Sequence, residues 1–347
     1  MIVSKFGGSA TTNNKSIENV KQLSKNTDRN IFVFSAIGKN SKNDEKITDL
    51  LYNYTKINPK NKKAQEKIKN QIILKFNQLC RFTKIDMDIP SQINKFCAKF
   101  MVDNDVDFFV SRGEYLTSLI MSKYLDIKFV PAENAIFLKN GKINWQKTEQ
   151  NLKKLILKHK RIVIPGFYAM NEIATSKSIN SIGVNKKIKL FTRGGSDLTG
   201  AIISKCLGVG IYENWTDVDG IYPINPNLKK TEIIGEMSYN DLKVMTAFDA
   251  NVIQKDCAKI LNGTGTLLEI KNIFNLKDQG SRISSTYLSP AEYIVYKQTK
   301  SSTLIKSQMN DGTTFNIKLP KDFNLNLLYD LHKKLKSLDN NLTKNLK

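Results

Sequence analysis

Short, unbroken apolar runs alternate with longer stretches in which apolar residues recur at helical spacing, and the alternation continues to about residue 285. Met1–Phe6, Ile31–Ser35, Lys128–Pro131, Arg161–Phe167, Ile188–Phe191, Gly210–Trp215 and Thr266–Lys271 read as strands. Apolar runs without a polar face suit strands buried on both sides. The patterns between them predict helices over about 16–27, from Thr48 onward, and over 60–85, 90–101, 108–121, 145–158, 196–207, 239–248 and 252–261. Asn14 or Ser16 is placed to cap the first, and Ser238 with Asp241 opens the helix at 239 as a variant capping box. Residues 168–187 are polar and read as a hairpin excursion.

Strands alternating with helices imply an α/β fold, a mostly parallel sheet sandwiched by helices. Beyond residue 285 the pattern changes. Tyr293–Gln298, Thr303–Met309 and Thr314–Leu319 read as short strands, the last two joined by the hairpin signal Asn310-Asp311-Gly312. Phe323, Leu327, Leu328, Leu331, Leu335 and Leu338 then mark an amphipathic helix, followed by polar residues. The organisation expected is one large α/β domain over 1–285 and a small strand-strand-strand-helix tail over 290–340, together α+β in character at the C-terminus.

Composition narrows the chemistry. The 347 residues carry a net charge of +22, yet the lysines are spread along the chain without a basic block interleaved with aromatic residues. A solvated lysine-rich surface is therefore expected rather than a nucleic-acid partner. Four cysteines (Cys80, Cys97, Cys206, Cys257) lie far apart, which argues against a zinc site and a disulfide framework. Two histidines, His159 and His332, sit in lysine-rich helical surroundings and argue against a histidine-based triad or metal centre. No apolar run reaches membrane length and no signal peptide opens the chain, so a cytoplasmic protein without membrane partners is expected.

The candidate chemistry sits at glycine turns. Thr192-Arg193-Gly194-Gly195-Ser196-Asp197-Leu198-Thr199-Gly200 joins a strand-like run to a helix-like one. Glycines there admit backbone close to a ligand, and the first-turn N–H groups suit an anion. Arg193 offers a bidentate fork for a carboxylate, and Asp197 can order a cation or serve simply as a helix cap. Lys5-Phe6-Gly7-Gly8-Ser9 repeats the strand, glycine turn, helix arrangement, although it is not a Walker A sequence. Lys5 can reach the phosphates of a nucleotide over that turn, or stand in solvent. Glu114, inside the apolar helix at 108–121, needs a partner, either a neighbouring cation in the core or a ligand. Ligands of parallel sheets sit beyond the strands' carboxyl ends, where Lys5, Ser35, Gly166, Arg193 and Thr216 all fall.

Taken in order, Lys5-Phe6-Gly7-Gly8-Ser9, Ser35-Ala36, Arg112-Gly113-Glu114, Pro165-Gly166-Phe167, Arg193-Gly194-Gly195-Ser196-Asp197 with Thr199, and Trp215-Thr216-Asp217-Val218 with Gly220-Ile221-Tyr222 resemble the aspartokinases of the amino acid kinase superfamily. The resemblance covers about residues 1–285. It implies ATP and Mg²⁺ as cofactors and transfer of the γ-phosphoryl group to the side-chain carboxylate of L-aspartate, the first step towards lysine, threonine and methionine. It also implies roles: Lys5 and Asp197 catalytic; Ser35, Thr48, Glu114, Arg193 and Ser196 at the amino acid; Gly7, Gly8, Ser9, Thr216, Asp217 and Tyr222 at the nucleotide. The acceptor carboxylate is already ionised, so a chain poor in histidine suits this chemistry.

Departures from the pattern stand beside the match. The family's Asp-Pro-Arg is Asn225-Pro226-Asn227, and its Gly-Ala-Lys-Val-Leu-His-Pro is Asp249-Ala250-Asn251-Val252-Ile253-Gln254-Lys255. Cations near the nucleotide are lost unless Lys229 or Lys255 replaces them. The polar stretch 39–46 and the excursion 168–187 also depart. The family's paired ACT regulatory domains are expected to be truncated or absent, and with them feedback inhibition. Two further readings follow: a nucleotide- or amino-acid-binding protein with weak or no kinase activity, and a kinase of another small carboxylate. A homodimer through the C-terminal helix is also possible on this pattern.

Overall fold

In the computed structural model, which describes residues 1–41, 43–178, 181–250 and 253–345, β1 (Ile2–Phe6) runs through the centre of a parallel sheet. Val3 and Phe6 are fully buried, as are Ile31 to Phe34 of β2 (Arg29–Phe34), which explains their unbroken apolar pattern. Asn251, one of the departures noted above, lies outside the described residues. The chain divides into two compact units, Met1–Asp217 and Val218–Lys347.

In the first unit α1 (Asn14–Ser24) joins β1 to β2. Its cap is Asn13, one residue before the expected candidates, whose side chain accepts from the Ser16 amide. Four helices follow, α2 (Ile47–Lys56), α3 (Lys62–Thr83), α4 (Ile89–Asp103) and α5 (Val106–Leu125). The short strands β3 (Lys128–Phe129), β4 (Phe137–Lys139) and β5 (Lys142–Ile143) precede α6 (Trp145–His159). Strands this short carry no readable period, and β4 and β5 had no sequence signal. Next come β6 (Ile162–Pro165), β7 (Tyr168–Ser178), β8 (Ser181–Leu190), α7 (Gly195–Leu207) and β9 (Ile211–Thr216).

Strands β9, β1, β2, β6 and β3 pair in that order, all parallel. Helices α6 and α7 pack on each other and cover the sheet at β1, β2, β6 and β9, while α5 packs on β2, β3 and β6 with α2, α3 and α4 around it. The mostly parallel sheet flanked by helices is the architecture that the alternating pattern implied. One expectation fails. Ile188–Leu190 does not feed the glycine turn from the parallel sheet, because it ends β8, which pairs antiparallel with β7 in a separate sheet ordered β5, β4, β7, β8. The excursion is thus a long hairpin whose return arm delivers Arg193 to the sheet's end, so Arg193 does not itself follow a parallel strand.

The second unit holds β10 (Glu236–Ser238), α8 (Tyr239–Ala247), α9 (Lys255–Leu261), β11 (Leu267–Asn272) and β12 (Ser281–Ser284). Ser238 accepts from the Asp241 amide at 3.1 Å, as the capping box required. The antiparallel sheet β13 (Tyr293–Gln298), β14 (Ser302–Gln308) and β15 (Thr314–Pro320) and α10 (Leu328–Asn345) complete it. Ile224, Ile294, Ile305 and Leu328 form their core.

Candidate active site

The carboxyl ends of β1, β2, β6 and β9 frame a cleft of about 680 Å³ within the first unit. Backbone hydrogen bonding carries the strands into it: the Gly7 amide donates to the Trp215 carbonyl (2.8 Å), Ser35 to Phe6 (3.0 Å) and Gly166 to Phe34 (2.9 Å). At the first turn a Cβ on Gly8 would stand 2.8 Å from the Ala36 carbonyl oxygen and 2.9 Å from Gly38. Only glycine fits there, because the backbone of Ala36 and Gly38 packs directly against this turn and holds it at the cleft wall.

Helix α7 aims its start at the same cleft. Gly194 is the N-cap with φ +80°, a left-handed conformation that favours glycine, and no side chain caps the helix. Asp197 is therefore not the cap, which was one sequence reading of it. Its side chain instead pairs with Lys5, Oδ1 lying 2.6 Å from Nζ, with both side chains about nine-tenths buried. Asn214 joins them, accepting from Lys5 Nζ at 3.1 Å and donating from Nδ2 to Asp197 Oδ1 at 3.2 Å. The register of β1 on β9 sets Lys5 directly opposite Asn214. The Tyr212 hydroxyl donates to the Asp197 carbonyl at 3.0 Å, and Gly200 lets the helix approach that ring, since a Cβ there would be 2.5 Å from it.

Glu114 enters from α5. Gly113 beside it permits the close approach, because a Cβ would meet Ile47, Ala36 and Leu51 at 3.0–3.1 Å. Glu114 is 4% exposed, and Oε2 has no hydrogen-bond partner among the described residues. Burial pushes its carboxyl up to about 8, against the partial pull of a hydrogen bond from the Ala36 backbone and the charge of Arg112. No ion pair joins Arg112 to Glu114 among the described residues; the Arg112 guanidinium lies 4.5 Å from the Phe108 and Tyr115 rings and 5.4 Å from Tyr168. The core-paired reading of Glu114 therefore finds no partner, and an acceptor facing the cleft is left over.

Lys5, Gly7, Gly8, Ser9, Ser35, Thr48, Glu114, Arg193, Ser196, Asp197, Thr216 and Asp217 all line this cleft. Tyr222 belongs to the second unit, where its hydroxyl donates to Asp219 at 3.3 Å. Sequence reading missed Asn214, which touches both Lys5 and Asp197, and the cleft-lining Lys39, Lys46 and Tyr52. Beside the cleft, Lys75 donates to Asp44 at 2.6 Å and to the Gly38 carbonyl at 3.3 Å. The departures have structural tasks in the second unit. Asn225 donates to the Tyr296 hydroxyl at 3.3 Å, Gln254 caps α9 by accepting from the Asp256 amide at 2.6 Å, and Lys229 lies over the Tyr329 ring at 5.1 Å.

Among the described residues no helix is long and apolar enough to cross a membrane, and no three His, Cys, Asp or Glu side chains gather as metal ligands. All four cysteines are buried, and none forms a disulfide among the described residues.

Comparison with known proteins identifies the fold and the family. Aspartokinase 3 of Bacillus subtilis is 25% identical over 302 residues, which are 82% of this chain and 64% of that protein. A bifunctional aspartokinase/homoserine dehydrogenase of Buchnera aphidicola is 23% identical over 322 residues, 84% of this chain and 37% of that protein. The chain thus spans about two thirds or less of these relatives. The crystal structure of Clostridium acetobutylicum aspartate kinase is 28% identical with a TM-score of 0.71, over 87% of this chain and 66% of that one. Aspartokinase III of E. coli, at 17% identity and a TM-score of 0.69, shares the fold. The family model described as the amino acid kinase family matches residues 1–272, and the chain belongs to that family.

Proposed function

We propose that the protein transfers the γ-phosphoryl group of ATP to the side-chain carboxylate of L-aspartate, giving 4-phospho-L-aspartate and ADP. The observation that carries this reading is the buried Lys5–Asp197 pair, 2.6 Å apart, in the same cleft as Arg193 and the unpartnered Glu114 Oε2. An α-amino dicarboxylate needs a cation for one carboxylate, an acceptor for its ammonium and an open path for the other carboxylate. Arg193 supplies the first and Glu114 the second, with Ser35, Thr48 and Ser196 as hydrogen-bonding neighbours.

The main-chain turn at Gly7, Gly8 and Ser9, which lines the cleft beside Lys5, is the proposed seat of the phosphate chain. Thr216 and Asp217 are the proposed nucleotide contacts in this cleft. Mg²⁺ would supply charge neutralisation on the phosphate oxygens when bound. Lys5 donates to the transferring group and holds its developing charge. Asp197 orients Lys5 through the 2.6 Å pair. The aspartate carboxylate forms the new P–O bond while the bond to the β-phosphate oxygen breaks, and ADP leaves with that electron pair. No proton need be removed from the nucleophile, so positioning and charge do the work.

A coupled ADP-release assay with L-aspartate and MgATP tests the reading, and aspartate-dependent ADP release is the expected result. Retained ATP binding without release would favour a binding protein on this fold. That second reading draws on the asparagine replacements, among them Asn225 and Asn227 at the positions of the family's aspartate and arginine, with Asn225 committed to a hydrogen bond on Tyr296. A panel of small carboxylates in the same assay would expose a different acceptor.

A further inference from the structure

Asn214 is not among the residues that line the cleft, yet it touches both members of the charged pair that does. It is 2% exposed on β9, directly opposite Lys5 in register. Its amide is used in a single sense, Oδ1 towards the ammonium and Nδ2 towards the carboxylate. The dipole so placed favours both charges while adding none of its own.

An ammonium has three donors. Asp197 and Asn214 take one each, at 2.6 and 3.1 Å, and leave one for the cleft. A lysine side chain has four rotatable bonds, and a single salt bridge would let its head swing with its partner. A second tether from a rigid strand fixes the position of Nζ independently of Asp197. We propose that Asn214 is a positioning residue for phosphoryl transfer: it anchors Lys5 on the sheet so that the third donor meets the transferring phosphate, and its neutrality keeps the ammonium's charge available to that phosphate. The proposal rests on the reading of the cleft as a phosphoryl-transfer site.

Two near-isosteric variants separate anchoring from neutrality. Asn214→Leu keeps the volume and removes both hydrogen bonds. It should lower kcat about tenfold or more while leaving KM for MgATP within about threefold, because the charges are unchanged. Asn214→Asp keeps the shape and places a second carboxylate on Lys5. It should weaken MgATP binding more than about tenfold by like-charge repulsion, read by calorimetric titration without any acceptor. Melting curves check folding, and if Leu does not fold, Asn214→Ser takes its place, losing the reach but not the polarity. A residue that merely filled the sheet would change the melting temperature and leave the split between kcat and KM unmoved. Lys5→Ala is the reference. If it abolishes turnover while the folded Asn214 variants match the parent in kcat and MgATP affinity, the proposal is overturned and the reading of the cleft stands. If Lys5→Ala turns over normally, both fall. If the parent shows no turnover with aspartate, the titration still decides: equal MgATP affinity in Asn214→Asp and parent overturns the proposal.

Discussion

The two faces of the β1–β9 pair both carry buried charge, and they differ in what is left over. On one face Glu213 accepts from Arg29 Nη2 (2.7 Å) and Nε (2.8 Å), from Ser4 (2.6 Å) and from the Trp215 indole (3.0 Å). Burial alone would raise its carboxyl, but the Arg29 hydrogen bonds and charge, with Ser4 and Trp215, hold it below the ordinary range. On the other face Lys5, Asn214 and Asp197 form a shorter network that borders a cleft. Strand alternation puts the two sets on opposite sides of the same residues' neighbours. The first network is closed around its charge; the second keeps a donor for something not part of the chain. Buried charge therefore marks a site only when hydrogen-bonding capacity remains and faces space.

Breaking the closed network should cost stability first. Arg29→Met leaves Glu213 buried without its cation, and loss of one partner of a buried pair costs about 3–5 kcal/mol. Denaturant unfolding measures it, and activity per folded molecule in the cold should stay near the parent's. The acid dependence gives a second handle. Because the folded Glu213 is held below its ordinary 4.5, its contribution is present above about pH 4.5 and is lost as pH falls further. Arg29→Met should remove that acid-side loss. Stability unchanged by the substitution would erase the distinction between the faces.

Breaking the open network should cost rate instead. Lys5→Ala removes the donor to the transferring group, and loss of one such donor lowers kcat by about 10²–10³. Asp197→Ala should act similarly, with kcat compared per folded molecule, because each substitution also leaves half of a buried pair behind. A kcat close to the parent's with either substitution would make this face as structural as the other.

Why one face was legible in the sequence and the other only in part follows from range. Lys5-Phe6-Gly7-Gly8 and Arg193-Gly194-Gly195-Ser196-Asp197 are local signals, because the glycines and the strand-to-helix turn they serve lie within a few residues. The alternation of apolar runs likewise revealed the parallel sheet and its helices. Asn214 depends on register between strands 209 positions apart, where a slip of one residue would turn it to the Glu213 face. The only signal was a polar pair, Glu213-Asn214, inside a run too buried to hold either without partners. Arg112 misleads for a similar reason: Glu114, two residues on, reaches the cleft, while about 200° of helical rotation turns Arg112 to the other side, where aromatic rings from α4, α5 and β7 take the guanidinium. The hairpin that returns Arg193 to the sheet's end could not be told from a sheet strand, since Ile188–Leu190 is apolar in either role.

Glu114 sharpens the comparison by sign. Its folded carboxyl is raised to about 8 from 4.5, so its contribution is present below about pH 4.5 and is lost as pH rises towards 8, opposite to Glu213. An ammonium ligand needs the ionised form. KM for aspartate should therefore rise as pH falls below about 8, by up to about tenfold per pH unit. Steady-state kinetics between pH 6.5 and 9 checks this (a range chosen to straddle about 8), with Glu114→Gln expected to flatten the slope and raise KM. A slope that survives in Glu114→Gln would place the titrating group elsewhere.

The smallest effect belongs to Gln254, a polar residue at the position of the family's histidine that is closed in the manner of Glu213. Its Oε1 accepts from the Asp256 amide at 2.6 Å and its Nε2 donates to Asp256 Oδ2 at 3.0 Å. Gln254→Ala should cost about 1 kcal/mol, the typical loss of a helix cap, and leave kcat and both KM values within about twofold. A cap acts on the end of α9 and on nothing that moves during transfer, so a fall in kcat there would mean that glutamine serves the nucleotide itself. That outcome would break the rule drawn from the two faces of the sheet, since a residue with its polar atoms already engaged would then be working as part of the site.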